Sequence, residues 1–549
     1  MAHGPRHPVA GKEVGMHITE SVLAARRVAA PLVAITTADQ WDLVGALVEA
    51  LTPTEAQRGR GDAGIRLAWD ASQGLRPLTA PTEAWLPGWL KQFDIDPYAM
   101  ASLDGAAKAA LRLPAGAIIF GVNAGRFIDR PVEATAVMNL RGPFKESRRM
   151  LVMLGASMDL PMELRGDVVV LHDALPEESY LADIVTSVGT AAATAATKAG
   201  KPAPPIPEGE TLARVLDAVR GLPAFAAEQA IALAVRPGGM DVAEIWARKR
   251  AAVNAQRGLA MTMGGPTFDD IGGNAGVAKL ARRLFAGSRP PRAILRIDEI
   301  EKAMAGASGP VADSSGVSQD ALGAILRWME DGGNDGLIAV GPPGCCKTMF
   351  SRAMGATHGV PTLELDLGAL KGSLVGESEA NIRAALSTVD AIGAGRTFVV
   401  ATCNRLEALP PELRRRYRAG IWFFDLPSRE ERAAIWSIHR KAFGIAADQK
   451  VPVDVDWTGA EIRNCCDLAS RLGCSLEEAA AYVVPVMRAD PVSIMTLRGT
   501  AAGRFLSAGT GSVYTLPTEV DLTQHQGAAD LVGDVVGLPA RRGKRSVES

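Results

Sequence analysis

Four short stretches of the chain combine residue types suited to phosphate chemistry. The first is L-I-A-V-G-P-P-G-C-C-K-T at Leu337–Thr348. An apolar strand feeds a glycine-containing loop, and a helix is expected to start near Lys347. Backbone N–H groups of such a loop point at phosphate oxygens, and the helix N-terminus adds positive potential. Gly341, Pro342, Pro343, Gly344, Cys345, Cys346, Lys347, Thr348 and Met349 are therefore candidate nucleotide contacts. Lys347 would reach the β and γ phosphates of ATP, and Thr348 would offer a hydroxyl to Mg²⁺. The second stretch is R-A-I-L-R-I-D-E-I-E-K-A-M at Arg292–Met304. Its strand ends in Asp298, which can hold Mg²⁺ through the water shell, and Glu299, which can polarise an attacking water. Arg296 interrupts that apolar run. The third, F-V-V-A-T-C-N-R at Phe398–Arg405, delivers Asn404 to the C-terminal end of a buried-type strand, the edge where ligands of such sheets bind. The fourth is the cluster R-R-R-Y-R at Arg414–Arg418, whose guanidinium groups can stabilise transition-state charge on a neighbouring subunit's γ-phosphate.

Each stretch also has a plain alternative: a Gly/Pro turn before an ordinary helix, two solvated acids at a strand end, a turn asparagine, and a solvated basic turn. Agreement among the four favours the chemical alternative. One departure stands inside the loop. The pattern G-x-x-x-x-G-K-[ST] wants glycine before the lysine, and Cys346 is there instead. A Cβ at a site needing positive φ implies strain of order 1–3 kcal/mol. A helix N-terminus beside the thiol predicts a lowered pKa.

These residues need elements to carry them. The chain has 549 residues, with 47% hydrophobic and 22% charged, enough for three or four domains with ordinary cores. The net charge of -2 gives no global basic field for nucleic acid or a membrane surface. Six cysteines, none in a C-x-x-C pair, fit neither a zinc framework nor a disulfide scaffold, and point to a reducing, cytoplasmic setting. No signal-peptide pattern and no apolar run of membrane-spanning length is evident, so membrane insertion is not expected. The seven histidines include no H-E-x-x-H, which argues against a metalloprotease.

Residues 1–20 read as a tail. Residues 21–188 alternate strands (Leu32–Thr36, Ile65–Trp69, Ala117–Val122, Met150–Leu154, Val168–Leu171) with helical stretches, which predicts an α/β domain with a parallel sheet. An Ala/Thr-rich then Pro-rich segment at 189–210 reads as a linker, and 211–264 as a small helical region. A second α/β core spans 265–440, a helical lid 441–490, and a weakly patterned tail 491–549. L-P-M-E-L-R at Leu160–Arg165 and L-P-P-E-L-R at Leu409–Arg414 each precede a strand, a D-x-L-P or D-L-P turn and an acidic helix, so the two α/β regions read as a diverged duplication.

The pattern resembles the AAA clade of AAA+ ATPases over about residues 265–485. F-D-D-I-G-G at Phe268–Gly273 is similar to that clade's opening motif, so the resemblance places Ile271 and Gly272 near adenine. V-G-E-S-E at Val375–Glu379 is similar to the segment after its first pore loop, with Leu374 at the pore position. W-T-G-A-E-I at Trp457–Ile462 resembles the start of its lid helix and brings Gly459 and Ala460 to the nucleotide. Arg415 and Arg418 match the paired finger arginines. More narrowly, the chain resembles the plastid and cyanobacterial AAA proteins called hypothetical chloroplast reading frames. These join a degenerate AAA-like domain to one active module.

The resemblance implies a P-loop AAA+ core with sheet order 5-1-4-3-2, a helical lid, ATP and Mg²⁺, self-association as a hexamer, and remodelling of a protein or nucleoprotein substrate. The family order is phosphate loop, G-E-S-E, D-E strand, sensor asparagine. Here the D-E strand and its helix come first, so the block is transposed. Moving two crossovers by one strand each still builds the same sheet. The N-terminal α/β region lacks both a G-K-[ST] loop and a D-E pair, and is expected not to hydrolyse. A nucleic-acid motor or loader, and a nucleotide-gated scaffold with weak hydrolysis, are the competing functions.

Overall fold

The computed structural model describes residues 18–52, 64–301, 317–332, 334–370, 377–404 and 411–517. The pore-loop position Leu374–Gly376 and residues 518–549 of the expected C-terminal tail lie outside them. Two compact units divide between Trp246 and Ala247.

In the first unit, hydrophobic runs become strands. They are β1 (Leu32–Thr36), β2 (Arg66–Asp70), β3 (Gly74–Pro77), β4 (Ile118–Gly121), β5 (Met150–Gly155) and β6 (Val169–His172), in the order β3-β2-β4-β5-β1-β6. Of these, β1, β2, β4 and β5 are buried on both faces and the edge strand β6 is largely exposed. All pairings are parallel except the β2–β3 hairpin. All five expected strands appear, within a residue at either end. Side chains from alternate strand positions feed two cores, one containing Trp69, Trp89 and Phe144 and the other Val33, Ile35 and Phe120. The Ala/Thr-rich stretch is not irregular throughout: the helix Glu178–Lys198 runs into it. Its threonines bond back along the helix (Thr190 to the Thr186 carbonyl, Thr194 to the Thr190 carbonyl), so they do not break it. Helices Gly209–Val219 and Ala224–Ala234 and a two-residue hairpin, β7 (Val235–Arg236) with β8 (Gly239–Met240), follow.

The second unit has β9 (Leu259–Thr262), β10 (Ala293–Ile297), β11 (Asp335–Val340), β12 (Thr362–Leu365), β13 (Thr397–Cys403), β14 (Ile421–Phe423) and β15 (Leu506–Ser507). Among the described residues the spatial order is β15-β14-β11-β13-β10-β12-β9, with only β9 antiparallel to its strand neighbour. Taken by motif, β14, β11, β13, β10 and β12 stand in the order 5-1-4-3-2, as the transposed chain requires. The helix Val317–Asp331 lies between β10 and β11 in the chain, so that link passes over β13. The helix Glu377–Gly393 links β12 to β13 over β10, and the two helices pack together. In the first unit β2, β4 and β5 are successive neighbours, and β5 reaches β6 across β1. That is the same spatial order, built from an untransposed chain.

Residues 491–517 are not a tail. A helix at Pro491–Ala501 and β15 close the sheet edge beside β14. Asp425, just past β14, accepts from Arg498 Nε at 2.9 Å and from the Tyr514 hydroxyl at 2.7 Å. Tyr514 also meets Phe423 edge-on, with ring centroids 4.6 Å apart. The ladder and this polar cluster hold the segment, together with the buried Ile494, Phe505 and Ala508.

Candidate active site

The loop after β11 is shaped by its glycines. Gly341 has φ +155°, and a side chain there would run into the Phe424 carbonyl. At Gly344 (φ +84°) a Cβ would lie 2.7 Å from Thr458 Oγ1 and 3.1 Å from the Ala460 Cβ. The loop is thereby pressed against the lid helix Gly459–Leu472, whose N-terminus is capped by a reciprocal Thr458/Glu461 box. Cys346 takes the left-handed conformation that glycine would take freely, φ +64°, and the helix Lys347–His358 begins after it. Lys347 is buried; its ammonium donates to the carbonyls of Gly341 at 2.7 Å and Pro342 at 2.8 Å. Burial pushes this lysine below the usual value, against the opposing pull of Cys345 and Glu301.

Two parallel strands bring the acids and the amide to the same edge. Asp298 Oδ1 accepts from the Thr348 hydroxyl (3.2 Å) and the Thr402 hydroxyl (3.1 Å). Glu299 sits at φ +49°, a conformation costly for a side chain, and its N–H is held by Thr402 Oγ1 at 2.9 Å. The Asn404 side-chain amide donates to Glu299 Oε1 at 3.3 Å, and the Asn404 N–H donates to Glu301 at 2.9 Å.

These groups surround one cleft of about 420 Å³. Of the sequence-predicted residues, Ile271, Gly272, Asp298, Glu299, Pro343, Gly344, Cys346, Lys347, Thr348, Met349, Asn404, Gly459 and Ala460 line it. Gly272 fits because a Cβ there would come within 2.6 Å of the Ile435 backbone nitrogen. Gly341, Pro342 and Cys345 do not line it. The first two form the back of the loop that Lys347 grips, and Cys345 turns into the apolar core. Arg415 and Arg418 lie elsewhere and are exposed. The Arg418 N–H donates to the Asp335 side chain at the opposite end of β11 from the loop, and neither arginine lines its own chain's cleft.

Sequence reasoning missed Thr402, Asp270, Ile435, Ile438, His439 and Arg463, which also line the cleft. A hydroxyl two residues before Asn404 was the available signal for Thr402, because alternate strand residues share a face. His439 comes from the helix Arg429–Ala442 and Arg463 from the helix Gly459–Leu472, and neither carried a motif. Burial and the nearby Arg463 both push His439 below the ordinary histidine value, so it is neutral at pH 7.

The thiol expectation is corrected. Burial, with Glu431 adding to it, pushes Cys346 up to about 11 and outweighs the positive Lys347. Besides the cleft, the side chain borders a second, small void shared with Asn274, Asp425 and Glu431, so it also stands close to carboxylates.

The residues fit a magnesium–nucleotide pair. Asp298 and Thr348 present converging oxygens to the cleft, the donor type a hard cation takes, and a buried lysine stands beside them. The glycine cradle leaves backbone free to approach phosphates.

Residues 337–393 match the AAA family, the ATPase family associated with various cellular activities. The match starts on β11 and ends with the helix Glu377–Gly393, and the D-E strand lies upstream of it. The chain is similar to the uncharacterized AAA domain-containing protein ycf46 of Pyropia yezoensis, at 33% identity over 19% of this chain and 29% of that protein. It is likewise similar to ycf46 of Trieres chinensis, at 32% identity over 23% and 35% of the respective chains. The alignments thus span about a third of those relatives' length. A crystal structure of the FIGL-1 AAA domain is 16% identical, covering 46% of this chain and 93% of that one with a TM-score of 0.29.

Proposed function

Starting from a chain that is an AAA-domain protein, distantly homologous to the ycf46 proteins, we propose that it binds Mg²⁺–ATP in this cleft, hydrolyses it, and uses the cycle as an oligomeric motor on a protein or nucleoprotein substrate. The observation that carries the proposal is the convergence of Lys347, Thr348, Asp298, Glu299 and Asn404 at one sheet edge from three strands in transposed order.

Lys347 would leave its two loop carbonyls for phosphate oxygens. Mg²⁺ bound at Thr348 and Asp298 would neutralise phosphate charge. Glu299, oriented by Asn404 and held in a strained backbone, would accept a proton from the attacking water. Ile271, Gly272, Ile435 and Ile438 supply an apolar slot suited to a base. The exposed Arg415 and Arg418 support action on a neighbouring protomer's nucleotide, which makes the oligomer part of the active unit.

The first unit supports a degenerate AAA-like role. Its strand order repeats that of the second. However, β1 is joined to the helix Gln40–Ala50 by only Thr37–Asp39, too short for a phosphate cradle, and Asn123 with Ala124 stands past β4 where acids would be expected.

Calorimetry and phosphate release on the full chain test the proposal. A single ATP per chain is expected. Lys347→Ala should weaken binding at least tenfold, and Glu299→Gln should retain binding while turnover falls by about 10²–10⁴-fold. Unchanged turnover in Glu299→Gln, or no ATP binding by the wild type, would overturn it. Among the described residues no helix is long and apolar enough to cross a membrane. Turnover with and without added DNA separates the nucleic-acid motor.

A further inference from the structure

The strand that ends in Asp298 carries an arginine where its neighbours are apolar. Arg296 is 2% exposed, on a strand otherwise filled with Ala, Ile and Leu. A guanidinium stays charged under all ordinary conditions, so burial at this depth requires anionic partners. It has two. Arg296 and Asp298 are two residues apart and share a face of β10, with Arg296 Nη1 3.0 Å from Asp298 Oδ2. Arg296 is also the register partner of Glu364 on β12, and its Nη2 pairs with the Glu364 carboxylate. Arg352, on the helix after the phosphate loop, stands 3.8 Å from the same Glu364 oxygen. Asp298 is thus engaged on both oxygens from inside the protein, with two hydroxyls on Oδ1 and a guanidinium on Oδ2, which leaves acceptor capacity on Oδ2.

We infer that Arg296 is a positioning residue for the metal half of the cleft, an internal counter-cation that competes with Mg²⁺ for the Asp298 carboxylate while Glu364 draws it away. The inference rests on the cleft being a Mg²⁺–ATP site. A fixed positive charge on Oδ2 weakens that oxygen as an acceptor for metal-bound water and lowers the negative potential the cation meets. Glu364 acts in the opposite sense, because every share of the guanidinium it takes is released from Asp298. Thr348 and Thr402 hold the carboxylate in place without Arg296, so its loss changes charge more than geometry.

The consequence is a pair of effects of opposite sign, which general damage to the fold does not produce. The measurement is the Mg²⁺ concentration giving half-maximal binding of a fluorescent, slowly hydrolysed ATP analogue to the full chain. Arg296→Met should lower it by about tenfold, and Glu364→Gln should raise it by about threefold. Shifts of the same sign in both variants, or no shift in either, would overturn the inference. Should Arg296→Met fail to fold, Glu364→Gln decides alone, since its carboxylate is partly exposed and expendable to the core; an unchanged Mg²⁺ requirement there refutes the role. A wild-type chain that binds no analogue at any Mg²⁺ concentration refutes the nucleotide site itself, an outcome distinct from the other two.

Discussion

At the residue scale, Cys346 shows burial outweighing a helix terminus. A thiol whose pKa is about 11 in the folded chain, against an ordinary value of 9.0, holds its proton where the unfolded chain has lost it. The folded state then binds more protons between these values, so this group's contribution to stability is present below pH 9.0 and is lost as pH rises toward 11. Cys346 alkylation, followed by mass spectrometry, should accordingly keep accelerating up to about pH 11 rather than levelling near neutrality. A profile that levels off below pH 8 would return the site to a reactive thiol. The backbone gives a second expectation. With φ at +64°, the Cβ is held in a left-handed conformation that costs about 1–2 kcal/mol. Cys346→Gly should recover up to about 1 kcal/mol of stability, less the added freedom of glycine in the unfolded chain. Denaturant unfolding measures it, and a destabilised variant would mean that the thiol's contacts matter more than its backbone.

At the scale of elements, the C-terminal strap ties the sheet edge to the phosphate loop. Asp425 lies one residue beyond Phe424, whose carbonyl crowds Gly341, and it anchors both the helix Pro491–Ala501 through Arg498 and the β15 turn through Tyr514. Arg498 is 6% exposed, so removing its partner strands a buried charge. Asp425→Ala should cost about 3 kcal/mol and expose residues 491–517 to limited proteolysis. An unchanged unfolding midpoint with the strap still protected would show that β15 pairing alone holds it. The crossover helices Val317–Asp331 and Glu377–Gly393 teach the same lesson at this scale. Asn334 reaches Asp390 at 3.2 Å, a contact joining the chain entering β11 to the helix leading to β13, so the reordered crossovers support each other.

At the scale of the molecule, the proposed finger role of Arg415 and Arg418 bears on whether one chain suffices. Arg415 and Arg418 lie at the far end of β11 from their own cleft, so any γ-phosphate they reach belongs to another protomer. Arg415→Ala and Arg418→Ala should each lower turnover by about 10³-fold while leaving ATP binding intact. Mixing Arg415→Ala with Lys347→Ala chains should restore part of the activity at interfaces that combine an intact cleft with an intact finger. Turnover that is independent of protein concentration and indifferent to both arginine variants would argue for a monomeric ATPase. Arg416, between the two, is engaged with Glu330 at 2.8 Å and is expected to serve the fold instead.

Much of the site was legible because its chemistry is local. The glycine-punctuated run at Leu337–Thr348, the acids closing Ala293–Ile297 and the asparagine after Thr397–Cys403 each declare a strand and the group at its end. Parallel strands put those ends at one edge whatever the order of the chain. The strand order itself could be argued from the rule that crossovers keep one hand. Other features depended on groups distant in sequence meeting in space. Thr402 came to hold Asp298 and the Glu299 N–H only when β13 was set beside β10. Arg463 and His439 entered the cleft only with their two helices in place, and residues 491–517 showed no period because their partners lie on β14. The Cys346 thiol follows the same logic, since its protonation depends on the atoms packed around it and on Glu431, neither of which is near it in sequence. Arg296 reads as an oddity along the chain, and register alone makes it the neighbour of Glu364, because a charge buried in a sheet is defined by the strand beside it.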